Sequence, residues 1–180
     1  FGGKGGFMDT HLAYWLSKAT GRPVRMTMDY TEELIAGNPR HGAVMTFKTG
    51  VMRDGTLVAR SADLTFDSGA YGAFRPMVGN SYGQRCLGPY RVPHGRIESR
   101  IVYTNLVPCG SMRSPGDPQS VFASEAHLDL VARELDMDPL DFRLKNVVVD
   151  GDATPLGKHW RTPIAKTLLE PAGRESGYRN

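Results

Sequence analysis

The chain has 180 residues, 40% hydrophobic and 23% charged, enough for one domain with a core of its own. No apolar run is long enough to cross a membrane. The net charge of +3, from 22 Lys+Arg against 19 Asp+Glu, is scattered without a basic block, which argues against a nucleic-acid surface. Cys86 and Cys109 fall in no Cys-x-x-Cys pair and no metal-ligand spacing, so a reducing, cytoplasmic setting is expected, with one disulfide left open.

The chain opens on Phe1 inside a Gly-rich run, as expected of a segment of something longer. Apolar spacing from Phe7 to Leu16 predicts a helix, closed by Gly21 and Pro23. Val24 to Met28 alternates and reads as a strand. Thr31 to Ala36 reads as a short helix, with Glu32 and Glu33 suited to its start. Ala43 to Phe66 reads as a long hairpin around the Asp54-Gly55 turn. Asp67 to Tyr90 has no period and reads as loop plus a short helix. Arg96 to Asn105 alternates as a strand, with Ile97, Ser99, Ile101 and Tyr103 on one face. After a loop from Cys109 to Gly116, Asp117 and Pro118 suit the cap and first position of a helix. Its expected buried face is Val121, Phe122, Leu128, Val131 and Leu135. Asp138 and Pro139 begin a further helix through Asn146, and another is expected near Thr162 to Leu169. The fold class is therefore α/β (α+β), a mixed, hairpin-rich sheet packed with helices.

Two stretches can carry chemistry. Phe1-Gly2-Gly3-Lys4-Gly5-Gly6 runs into a helix; glycines admit a ligand close to the backbone, and a helix start offers free N–H groups to an anion. It lacks the Gly-Lys-Ser/Thr of a P-loop, and a plain Gly-rich turn stays open. The second is Gly110-Ser111-Met112-Arg113-Ser114-Pro115-Gly116, where the guanidinium of Arg113 can present a planar fork of donors to an oxyanion, a phosphate or a carbonyl. An exposed helix-capping turn is the alternative. The aromatic, Gly-rich stretch Phe66 to Arg75 is a third candidate for lining a pocket. Glu125 and Asp129, four apart on a helix, read as a solvated face rather than paired acids.

Taken in order, Phe1-Gly2-Gly3-Lys4, Thr20-Gly21-Arg22-Pro23-Val24-Arg25 with Gly37-Asn38-Pro39-Arg40-His41, and Met112-Arg113-Ser114-Pro115-Gly116-Asp117-Pro118-Gln119 with Glu125, Asp138-Pro139, Arg143, Asn146 and Gly151-Asp152 resemble the molybdenum hydroxylases of the xanthine dehydrogenase / aldehyde oxidase family. The resemblance covers roughly residues 1 to 157. It implies that residues 1–157 are part of one lobe of a molybdopterin-binding domain in the large subunit, with 158–180 a C-terminal extension of it. The implied cofactor is molybdenum on a molybdopterin, in bacteria often the cytosine dinucleotide form. Its implied neighbours are Phe1, Gly2, Gly3, Ser111, Met112 and Arg113, Arg113 being the catalytic candidate, with no protein ligand to the metal.

The implied reaction hydroxylates an electron-poor carbon with water, using a Glu that lies elsewhere in the family's subunit, and passes electrons to iron–sulfur and FAD partner subunits. Gly5, Ser81 and Pro115 stand where purine hydroxylases hold their substrate, and Ser114 stands where the carbon monoxide enzyme has Cys. The resemblance thus implies an aldehyde or N-heteroaromatic small-molecule substrate. The isolated segment is expected to be inactive. A non-catalytic binding or scaffold domain that keeps the fold is the alternative.

Overall fold

Helix α1 (Met8–Thr20) forms where the apolar spacing predicts it, and helix α2 (Tyr30–Ala36) where Glu32 and Glu33 suit a helix start. The structure is a computed structural model that describes residues 8–72, 84–154, 157 and 159–178. Helix α2 starts on a reciprocal cap: the Asp29 carboxylate accepts from Glu32 N–H (2.8 Å) and Glu32 accepts from Asp29 N–H (2.9 Å). The expected strand at Val24 to Met28 is not one. Only Val24 and Met28 are half-buried, and no neighbouring strand among the described residues completes its hydrogen bonds.

Strands β1 (Ala43–Val51) and β2 (Leu57–Asp67) form the predicted hairpin, and β3 (His94–Val102) completes a sheet of order β1-β2-β3. The turn closes by Met52 N–H to Thr56 O and Gly55 N–H to Met52 O, both 2.9 Å, with Gly55 at φ +84°. Both oxygens of Asp54 accept from Thr56, which fixes the turn further. Strand β3 starts and ends earlier than the alternation suggested. Ile97, Ser99 and Ile101 share its inner face as expected, whereas Tyr103 lies beyond the strand and is exposed. A 3-10 turn at Gln84–Leu87 precedes it.

Helices α3 (Asp117–Glu134), α4 (Pro139–Asn146) and α5 (Ala165–Glu175) follow. Asp117, expected as a cap, is the first helical residue of α3. The buried stripe of α3 is Ser120, Ser124, Leu128 and Ala132; Val121 and Phe122, expected inside, are exposed. The reason is polar. The Ser124 hydroxyl donates to Cys86 O (2.7 Å) and accepts from Arg60 (3.0 Å), so this serine must face inward. Asp138 caps α4 as predicted, accepting from the N–H groups of Leu140 and Asp141. Helix α5 starts three residues after Thr162 and runs on through Pro171.

The chain divides into two units. The second unit, residues 45–64, 83–99 and 119–180, holds the apolar core of Leu57, Tyr90, Val92, Leu128, Ala132, Phe142 and Val147, with Ala165 and Leu169 packed against it. At its centre the Asn146 amide accepts from Leu57 N–H (2.9 Å) and donates to Gly55 O (2.8 Å) and Phe142 O (2.9 Å), tying the hairpin turn to α4. Glu125 and Asp129 are not a solvated face: Arg143 bridges them at 2.9 and 2.7 Å, and the Tyr90 hydroxyl donates to Glu125 at 2.9 Å. Burial opposes the charge on Arg143, but the two carboxylates outweigh it and hold the guanidinium protonated.

Removing the Asn146 amide strands a buried N–H and a buried C=O, so Asn146→Ala is expected to cost about 2–4 kcal/mol in urea unfolding. A loss below about 0.5 kcal/mol would show that water replaces the amide. A double-mutant cycle of Arg143→Met with Glu125→Gln is expected to give a coupling of about 1–2 kcal/mol, discounted for the half-exposed carboxylates. Strict additivity of the two changes would remove that ion pair from the account of stability.

Candidate functional site

The first unit comprises residues 1–44, 65–82 and 100–118, and three of its segments are bound into one another. Segment 37–42 follows α2. Its Gly42 O accepts from Asp67 N–H (2.9 Å), and its Pro39 O accepts from Gly110 N–H (3.4 Å). Segment 67–70 leaves the end of β2. Ser68 N–H reaches Val102 O (2.9 Å), Ala70 N–H reaches Leu106 O (3.0 Å), and Ser68 O accepts from Cys109 N–H (2.9 Å). The Asp67 carboxylate accepts from Gly69 N–H (2.8 Å) and from the Thr104 hydroxyl (2.7 Å). Gly69 sits at φ +70°, and a β-carbon there would press into Val107 O, so no other residue fits.

These contacts deliver the loop 109–116. Met112 N–H closes on Gly110 O (2.8 Å), and Asp117 N–H closes on Ser114 O (3.1 Å) at the start of α3. Ser114 adopts φ +51° and Gly116 φ +84°. Left-handed backbone at a residue with a β-carbon is uncommon and persists only where its surroundings enforce it. Here the enforcing group is Arg40. Its Nη1 donates to Arg113 O (2.8 Å) and Ser114 O (3.3 Å), and its Nη2 lies 3.2 Å from Met112 Sδ.

Ser111, Met112 and Arg113, singled out from the sequence, therefore share one pinned loop. Ser111 and Met112 are half-buried, and Arg113 is exposed with no carboxylate partner among the described residues. Phe1, Gly2 and Gly3 lie outside the described residues, as do Ser81 and the part of the aromatic stretch beyond Gly72. In the described part of that stretch Phe66 is buried and Asp67 and Ser68 bond neighbouring segments, whereas Tyr71 is exposed.

Two residues gain a place here to which sequence reasoning assigned no role. One is Arg40. The other is Asn38, whose side-chain Oδ1 and Nδ2 are both buried and make no hydrogen bond among the described residues. The signal for both was the Gly37-Asn38-Pro39-Arg40-His41 string, which marks a motif without saying what it touches. Cys109, behind the loop, is free and buried; burial and the nearby Asp67 charge push its thiol above the usual range. Among the described residues no group of three or more His, Cys, Asp or Glu is placed to hold a metal ion.

A family model described as the molybdopterin cofactor-binding domain matches residues 1–147. The xanthine dehydrogenase molybdenum-binding subunit of Escherichia coli is 36% identical over 87% of this chain and 21% of its own length. The nicotinate dehydrogenase large molybdopterin subunit of Eubacterium barkeri is 36% identical over 81% of this chain and 35% of its own. Among solved structures, the aldehyde oxidoreductase from Desulfovibrio gigas matches with a TM-score of 0.80 at 32% identity, over 91% of this chain and 18% of that one. The chain thus spans about a fifth to a third of the length of these curated relatives. With the match taking in Phe1 to Lys4, the stretch from Thr20 to His41 and the loop 109–116, the chain belongs to the molybdopterin cofactor-binding domain family, that of xanthine dehydrogenase and aldehyde oxidoreductase subunits.

Proposed function

We propose that the chain forms part of the molybdenum-binding subunit of an oxidoreductase that hydroxylates an aldehyde or an N-heteroaromatic ring with water. The single observation that carries this reading is the 109–116 loop, which offers an exposed Arg113 guanidinium, without a carboxylate partner among the described residues, on backbone held in one conformation. The residues present fit a polar, anionic cofactor. A guanidinium fork suits phosphate or carbonyl oxygens, and the buried Asn38 amide, with donor and acceptor both unspent among the described residues, suits a ligand carrying both kinds of group.

When bound, the molybdopterin would supply the metal and the two-electron redox chemistry. Arg113 would neutralise charge beside it. Backbone of Ser111 and Met112, and Phe1, Gly2 and Gly3 by their place in the family motif, would complete its near side. The names of relatives that act on nicotinate or an aldehyde support the substrate class. A relative named as the gamma subunit of a dehydrogenase complex supports assembly with partners, for which iron–sulfur and FAD subunits are the expected electron acceptors. The cytosine dinucleotide form of the cofactor and a cytoplasmic setting belong to the same reading. So do residues 158–180 as an extension of the domain formed by 1–157, supported by Ala165 and Leu169 packing on its core. No helix among the described residues is long and apolar enough to cross a membrane. The segment by itself is expected to be inactive.

The test is molybdenum content by elemental analysis of the full-length subunit, co-expressed with its partners in a host that makes the cofactor. Wild type is expected to carry near-stoichiometric metal and Arg113→Ala at least several-fold less. A folded wild-type protein without metal would point to a scaffold domain.

A further inference from the structure

We propose that Arg40 is a positioning residue for the cofactor loop: its guanidinium gathers two successive carbonyls, and by doing so turns the loop's remaining donors toward the ligand. The inference rests on the reading of the 109–116 loop as a cofactor site.

Both terminal nitrogens of the guanidinium serve the loop. Arg113 O and Ser114 O both point to Nη1, at 2.8 and 3.3 Å. Successive carbonyls alternate in extended backbone and point the same way in a helical turn of either hand, where their dipoles repel; the left-handed Ser114 at φ +51° gives that alignment here. A cation between the oxygens offsets that repulsion. In a trans peptide the N–H points opposite to the C=O, so fixing Arg113 O on Arg40 sends the Ser114 N–H to the other side. No backbone carbonyl among the described residues accepts from that N–H. The next residue, Pro115, has no N–H at all, and the Ser114 N–H stands as a directed backbone donor beside the exposed Arg113.

Arg40 is itself held. The flanking Pro39 O accepts from Gly110 N–H at 3.4 Å, and the Cys109 thiol lies 3.8 Å from Arg40 O, so segment 37–42 and the loop grip each other on both sides. The Nη2 contact to Met112 Sδ at 3.2 Å adds a third hold on the loop. A lysine keeps the charge but not the fork, and can reach at most part of this set.

The experiment uses the full-length subunit with its partners, made with and without cofactor biosynthesis. Arg40→Ala, Arg40→Lys and Arg113→Ala are compared with wild type by hydrogen exchange of peptides spanning 109–117 and by molybdenum content. In cofactor-free protein, Arg40→Ala is expected to speed exchange in that loop at least tenfold while peptides of α3 beyond Gln119 stay unchanged. Its metal content is expected to fall several-fold, and millimolar guanidinium is expected to restore part of both. Arg40→Lys, which keeps the fold if alanine does not, is expected to fall between. Unchanged loop exchange in both Arg40 variants would overturn the proposal. So would a loosened loop that keeps full metal while Arg113→Ala loses it. If Arg113→Ala keeps its metal while Arg40→Ala loosens the loop, the clamp stands and the cofactor reading of the loop fails.

Discussion

The Asp67 carboxylate is the hinge pin of the first unit, which carries the candidate site. It sits at the last residue of β2, and its one oxygen takes both the Gly69 N–H and the Thr104 hydroxyl. That single acceptor turns the chain out of the sheet and fastens it to the segment after β3. The backbone ladder of Ser68, Ala70 and Cys109 then builds on it, and the loop with Arg113 follows within a few residues. A functional loop is only as well placed as the rigid element it leaves. Here the rigidity comes from a strand end closed by a charged acceptor, with Gly69 the only residue type that fits beneath Val107 O.

The other unit solves a different problem, a fully buried cation. Arg60 is 1% exposed, yet no carboxylate among the described residues touches it. It is solvated by Leu87 O, Ser124 O and the Ser124 hydroxyl, and its guanidinium lies 5.1 Å from the centroid of the Phe47 ring. Burial lowers its pKa. The same charge, after burial, depresses His127, whose ring stacks on Phe47 and bonds the Thr49 hydroxyl. Groups from separate stretches of the chain are thus committed to one side chain, which fixes how α3 approaches the hairpin.

Much of this is legible in the sequence, and the failures share a cause. The Asp54-Gly55 turn, the Asp138-Pro139 cap and the first helix are local: their chemistry lies within a few residues, and the structure has them as read. Apolarity misleads on the buried face of α3, because Ser120 and Ser124 turn inward and Ser124 serves Arg60 and Cys86 O, more than thirty residues away. The strand expected at Val24 to Met28 fails for want of a neighbour, which alternation cannot reveal. At the site, Arg113 can be singled out because an arginine between glycines is conspicuous. Arg40 cannot, because its contacts are with carbonyls 73 and 74 positions downstream.

Helix α1 carries its aromatic residues outward: Tyr14 and Trp15 are each 59% exposed, with Leu12 and Leu16 close to half exposed beside them. Trp15 meets Tyr14 edge-on, and Lys18 lies 5.1 Å from its ring. An indole in that position is an optical gauge. Its emission reports water and a nearby cation while the helix face is bare, and shifts to the blue when another surface excludes both. With Trp160 replaced by Phe, the intrinsic fluorescence of this stretch can follow its burial in a larger assembly without any attached label.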